Sequence, residues 1–274
     1  MQEKLPEAFN GTNPYAETAT LLRYQPDYKA VKLPSGETKE VPINLAGRLA
    51  KFQDRWERLD PSIGRALAQP IAPNWIFGKP APPTWRQPAK EPQSQVEKTA
   101  LQNELLKYEI MGCFEDDPTL TPDHMIDIFV VPKKDTDEWR LTLNAKPQNP
   151  YIFHKHFKQE GLLDVQQTCR VGDYLVNSDL RCAYLHVAGQ EEWRRSFKCW
   201  VNGKLKRWTC LFFGAKDAPR RFTKLVQLPV TWLRRMGVRV NFKLDDFLTM
   251  ADSYWKAKAH GNATVILLDF LGFT

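Results

Sequence analysis

The chain has 274 residues, 42% of them hydrophobic, enough to bury the core of one large domain or two modest ones. Its 39 Lys and Arg against 32 Asp and Glu leave a formal net charge of +7, a balance that suits an anionic partner. No stretch approaches the roughly 18 uninterrupted apolar residues of a membrane span, and the opening MQEKLPEAFN has no basic-then-apolar signal pattern; with five cysteines and no C-x-x-C pair, a soluble protein with reduced thiols is expected, in the nucleus, the cytoplasm or an organelle.

In chain order, residues 1 to 43 are polar and broken by the turn-rich LPSGETKE, so an extended arm is expected. Leu45, Leu49, Phe52, Trp56 and Leu59 then recur at helical spacing, with Lys51, Arg55 and Glu57 opposite, which predicts one amphipathic helix. A proline-rich, aromatic-studded connector runs from Pro70 to Pro92; proline forbids helix there and favours extended chain. The division this suggests is an N-terminal part over 1–95, made of arm, helix and connector, and a folded domain over 96–274.

QVEKTALQNELLKYEIMGCFE reads as a helix stopped at Gly112. DIFVVPKK and EWRLTLNA are strand-like runs joined by a basic tip, and DYLVNSD is a third strand. In SFKCWVNGKLKRWTCLFF two alternating runs flank Asn202-Gly203, a strong hairpin signal because a type I′ turn needs positive φ at both central residues. Pro219 suits the first turn of a helix whose apolar face carries Phe222, Leu225, Val226, Val230 and Leu233, with a kink expected at Pro229. VRVNFKLDDFLTMA predicts a hairpin with Asp245 and Asp246 at its tip, and a last helix ends at Gly272. The sum is a mixed α and β chain without an internal repeat.

Two adjacent aspartates in an apolar run are tolerable if a cation sits between them or if a turn carries both into water. The stretch alone fits either. Asp179 also ends an apolar strand; if that strand neighbours the Asp245-Asp246 hairpin, three carboxylates meet at one end of a sheet. Oxygen ligands suit Mg²⁺, which keeps part of its shell for phosphate, and two such ions stabilise both the attacking and the leaving oxygen of a phosphoryl displacement. Elsewhere, HKH (154–156) places two imidazoles on one face of an expected strand without a third metal ligand nearby. EEWRRSF and GKLKRW interleave basic residues with tryptophan, a combination able to bind phosphate and stack on bases.

SDLRCAYLHV, LFFGAKDAPRRFTK and KLDDFL, in that order, resemble the palm motifs of reverse transcriptases. Upstream, FVVPKKDTDEWRLTLNAKPQNPYI is similar to the fingers pattern, and LLDFLGFT is similar to the helix that closes the palm. The resemblance covers about Val96 to Thr274. AGRLAKFQDRWERLDPSI, ahead of the connector, is similar to the leader of DIRS-type retrotransposon reverse transcriptases, so a DIRS-like or LTR-like retrotransposon origin is expected. The resemblance implies an α+β fold, the fingers and palm of a right-hand polymerase, with an antiparallel sheet packed on helices and an extended N-terminal arm. It also implies that Asp179, Asp245 and Asp246 are catalytic and hold two Mg²⁺ ions. Tyr184 would lie beneath the sugar of the incoming nucleotide, Arg140 with Lys133 or Lys134 would hold the triphosphate, and Phe213 and Gly214 would floor the pocket.

The chain departs from the pattern at four places. Lys243 stands for the aromatic that begins the YxDD box, Phe212 for a usual Pro, and Cys182 and Asn144 for usual Asp residues. None removes a metal ligand, but Lys243 brings a positive charge beside the aspartates, to compete with a cation or to pair with a template phosphate. Thumb and ribonuclease H regions are expected to be missing from this stretch and to come from another protein chain or a longer parent. Two functions therefore follow. One is an RNA-directed DNA polymerase domain, incomplete on its own, that acts on an RNA template, a DNA primer and dNTP. The other is a domesticated, catalytically silent relative that binds structural RNA or serves as a structural subunit of a ribonucleoprotein, with no membrane involved in either.

Overall fold

The structure, a computed structural model, describes residues 26–76, 92 and 94–274. Residues 1–25 of the expected arm and most of the proline-rich connector lie outside the described residues. Where the sequence leads one to expect extended chain, β1 (Tyr28–Lys32) and β2 (Thr38–Pro42) form an antiparallel hairpin. Val31, Leu33, Val41 and Pro42 are the buried residues of the hairpin, too few apolar positions to register as a strand period. The single helix expected over Leu45–Leu59 is split into a 3₁₀ turn (Arg48–Lys51) and α1 (Gln53–Leu59). Phe52, with φ −114° and ψ 13°, leaves helical geometry between them, yet Leu45, Leu49 and Trp56 all remain buried.

A short helix, α2 (Gly64–Leu67), precedes the connector. Beyond it α3 (Gln95–Ile110) starts at Ser94, whose hydroxyl accepts a hydrogen bond from the Glu97 amide at 3.1 Å, satisfying one of the donors that a helix start leaves without a partner. β3 (Phe114–Asp116) follows, and β4 (Asp127–Pro132) pairs with β5 (Trp139–Asn144) as the expected hairpin. Residues 153–161 contain no strand and are largely exposed, so His154 and His156 share no sheet face; the run has no neighbouring strand to pair with. α4 (Leu162–Thr168) then leads to β6 (Tyr174–Asp179), and α5 (Glu191–Ser196) to β7 (Lys198–Val201) and β8 (Lys204–Trp208). The β7–β8 turn has φ 49° at Asn202 and 76° at Gly203, the two positive values the dipeptide predicts.

α6 (Ala218–Arg235) carries Pro219 in its first turn and runs on past Pro229 as one helix. β9 (Arg239–Lys243) and β10 (Asp246–Ala251) form the last hairpin, and α7 (Tyr254–Phe270) closes the described fold. Strand pairing within the sheets is antiparallel throughout; β6, β10 and β9 make one three-stranded sheet, and β3, β8 and β7 another. α7 packs on β6 and β10, and α6 on β9. The apolar faces of these helices, including Phe222, Val226, Val230 and Leu267, are buried beneath the first sheet.

The end of α7 is held from the N-terminal side. The carbonyls of Phe270, Leu271 and Gly272 accept from the Arg55 guanidinium (2.9 Å), the Trp56 indole (2.9 Å) and Arg48 Nε (3.0 Å), satisfying acceptors that a helix end leaves open. Among the described residues no helix is long and apolar enough to cross a membrane.

Candidate active site

Two strands bring the carboxylates together. β6 and β10 pair so that Asp179 lies directly opposite Asp246, and opposite residues of an antiparallel pair present their side chains on the same face. Asp245 occupies the β9–β10 turn, and its carbonyl accepts from the Leu180 amide at 3.0 Å, which ties the turn to the end of β6. Leu244, beside it in the turn, has φ 57°; a left-handed leucine costs about 1 kcal/mol, so this tip is held in place by its surroundings.

The electrostatics follow from the crowding. Partial burial raises the Asp179 carboxyl above its usual range, and the charges of Asp245 and Asp246 raise it further. Burial raises Asp245 as well, with Asp246 adding to it, while a backbone hydrogen bond and the Arg140 charge pull the other way. Oxygen donors of this kind suit a hard divalent cation, which would relieve the repulsion. Among the described residues, however, no three carboxylate, thiol or imidazole groups already stand as a ready ligand set for a metal ion.

Beside the carboxylates lies a column of rings. Tyr184 sits on the short 3₁₀ turn Ala183–His186 that follows β6, only 2% exposed. Its ring centroid is 4.3 Å from that of Phe213 and 5.2 Å from that of Phe222. Burial pushes the Tyr184 hydroxyl up, and the Asp245 charge adds to the effect. Phe213 is half exposed at 48%, and the Arg140 guanidinium lies 5.8 Å from its ring centroid, within cation–π range. Arg140, Phe213, Tyr184 and Asp245 therefore form one connected cluster.

Gly214 extends the cluster's floor. Its φ is +112°, and a Cβ built there would stand 2.6 Å from the Leu143 carbonyl oxygen on β5, so only glycine fits. Asn149 fixes this loop, a role the sequence reading misses: its Nδ2 donates to the Gly214 carbonyl at 2.8 Å, and its Oδ1 accepts from the Lys216 amide at 2.9 Å. The Asn-Pro step at 149–150 was the available signal, since Asn ahead of Pro commonly starts a turn.

The basic tip is arranged differently from the cluster. Lys133 is ion-paired with Glu138 across its own hairpin at 2.5 Å, and Glu138 also holds Lys39 at 3.3 Å. These two lysines depress the Glu138 carboxyl to about 2. Lys134 is exposed at the same tip.

No family model matches the chain, and no curated protein matches its sequence. Solved structures do. A foamy viral protease-reverse transcriptase in complex with double-stranded DNA superposes with a TM-score of 0.59 at 19% identity, over 73% of this chain and 40% of that one. A form of the same viral protein designated dRH, also with double-stranded DNA, gives 0.60 at 17%, over 86% and 44%. A prototype foamy virus protease-reverse transcriptase mutant gives 0.60 at 16%, over 88% and 35%. The chain thus spans less than half the length of these neighbours. Its mixed helices and antiparallel sheets compose a reverse transcriptase-like fold.

Proposed function

We propose that the chain is the fingers and palm region of an RNA-directed DNA polymerase, joining a dNTP to a primer by nucleotidyl transfer. The observation that carries this reading is the β6–β10 register, with Asp179 opposite Asp246 and Asp245 in the adjoining turn. In this reading Asp179, Asp245 and Asp246 would hold two Mg²⁺ ions, which supply charge stabilisation to the attacking and leaving oxygens. Tyr184, buried against Phe213 and Phe222, would press on the sugar and reject a 2′-hydroxyl by contact. Arg140 would take a phosphate oxygen pair, which a planar and permanently charged guanidinium suits. Lys134, or Lys133 once released from Glu138, would add a second cation, and Phe213 with Gly214 would bound the nucleotide pocket from below.

Lys243, which places a positive charge opposite Asp246, favours a second reading, a catalytically silent RNA-binding or structural subunit of a ribonucleoprotein that keeps the fold and its carboxylates. Primer extension on an RNA template with Mg²⁺ and dNTPs separates the two. Extension that disappears in Asp245→Ala and Asp246→Ala establishes the polymerase. Equal RNA binding by all three proteins, with no extension by any, establishes the second reading.

A further inference from the structure

Asp246 is flanked on both sides. Across β10 from it stand Asp179 on β6 and Lys243 on β9, so one row of the sheet reads carboxylate, carboxylate, ammonium on a single face. With strands about 4.8 Å apart, the row spans roughly two strand spacings. The next row on this face is Asn177, Leu248 and Asn241. A trough of about 270 Å³ on the sheet is lined by residues of both rows, Lys243, Asp246, Asn177, Leu248 and Asn241 among them, and is bounded by α4.

Lys243 is exposed, and among the described residues it forms no ion pair with Asp246 or with any other carboxylate. Two cations of the neighbouring chain are committed, Arg239 to Asp173 at 2.6 Å and Arg234 to Glu160 at 2.6 Å. An ammonium that lies opposite a carboxylate without pairing to it is free to meet an anion from outside. Below it the trough holds Leu248 and the Glu160 carboxylate, which is taken up by Arg234 and the Asn241 amide, so an anion is met at the Lys243 end of the row and a cation is left room on the Asp179 side.

We propose that Lys243 binds a backbone phosphate of the nucleic-acid strand lying on this face, fixing that strand relative to Asp246. Lys243 is thus a positioning residue, and the role rests on the polymerase-like reading of the site. The competing role is a built-in counter-charge that replaces part of a bound cation. The two differ in what salt does, because each phosphate neutralised by a lysine releases counterions and steepens the salt dependence of binding.

The test measures binding of a fluorescein-labelled RNA–DNA primer–template duplex by anisotropy, from about 50 to about 200 mM salt, with and without Mg²⁺. Lys243→Met is expected to weaken binding and to reduce the slope of log K against log salt by about one, while Lys243→Arg keeps the slope. Both variants should melt at the wild-type temperature, since the side chain is exposed and unpaired. An unchanged slope in Lys243→Met, with less Mg²⁺ needed for full binding, would overturn the phosphate role and establish the counter-charge. Absence of duplex binding by the wild type itself would remove the polymerase reading along with the proposal.

Discussion

Asp179 and Asp246 face each other across β6 and β10, and Asp245 adjoins them in the turn. The fold thus keeps three acids at one sheet end, where burial and the neighbouring charges oppose ionisation of Asp179 and Asp245. A carboxyl whose folded pKa stands above its unfolded value binds more protons when folded. Its unfavourable contribution therefore appears as pH rises past the usual 3.8 and is complete above the raised value.

Asp245→Asn should accordingly raise the melting temperature at pH about 7, and the gain should vanish at pH about 3, where the wild-type carboxyl is protonated in both states. Mg²⁺ should raise the melting temperature of the wild type more than that of the variant, since a ligand stabilises the state that binds it. Calorimetry at the two pH values checks both. A variant that melts below the wild type at neutral pH would contradict the repulsion argument.

His186 predicts the opposite pH dependence. It is fully buried, with Nδ1 3.2 Å from the Ala183 carbonyl and Nε2 3.2 Å from the Thr274 hydroxyl, and burial pushes its pKa down to about 4. Between that value and the usual 6.5 the unfolded chain binds the proton and the folded one does not. The contribution of the neutral imidazole is therefore fully present above about 6.5 and lost as pH falls toward about 4, a change on the order of 3 kcal/mol. Urea unfolding at stepped pH should show this slope in the wild type and a flatter one in His186→Gln.

At Gly214 a Cβ would meet the Leu143 carbonyl oxygen at 2.6 Å, in a backbone conformation that alanine resists. Gly214→Ala should cost about 1 kcal/mol or more and displace Phe213 from Tyr184. The denaturation midpoint reports the first effect. A raised KM for dNTP, with kcat less affected, reports the second in a protein that extends primers.

Trp56 donates to the Leu271 carbonyl at 2.9 Å, with the indole fully buried. Trp56→Phe keeps an aromatic ring in the core but leaves that acceptor unpartnered, at a cost of about 1 to 3 kcal/mol. A urea midpoint equal to the wild type's would show that the bond contributes nothing net.

Much of the sheet around the site was legible because strands betray themselves by alternation and by their turns. Asn202-Gly203 fixed one hairpin, and the alternation Val238, Val240, Phe242 fixed another together with the position of its aspartates. Asp179 could be named from its place at the end of an apolar run, but pairing between β6 and β10 joins residues about seventy positions apart, and no local pattern encodes it. Short elements were lost for a related reason. β3 has three residues and exists through pairing with β8, and the β1–β2 hairpin buries too few side chains to impose a period. The Lys133–Glu138 pair was equally hidden, since a basic tip reads as free charge until the opposite strand supplies its carboxylate.

The grip of Arg48, Arg55 and Trp56 on residues 270 to 272 also sets an order of events during synthesis. These donors leave the ribosome more than two hundred residues ahead of their acceptors. Until then the early segment has no acceptor in its own neighbourhood, and closing so long a loop is entropically slow. The carboxylate hairpin, only about two dozen residues upstream of those acceptors, therefore reaches its final setting only after residues 270 to 272 have emerged, and the nascent chain carries an unfinished site until then.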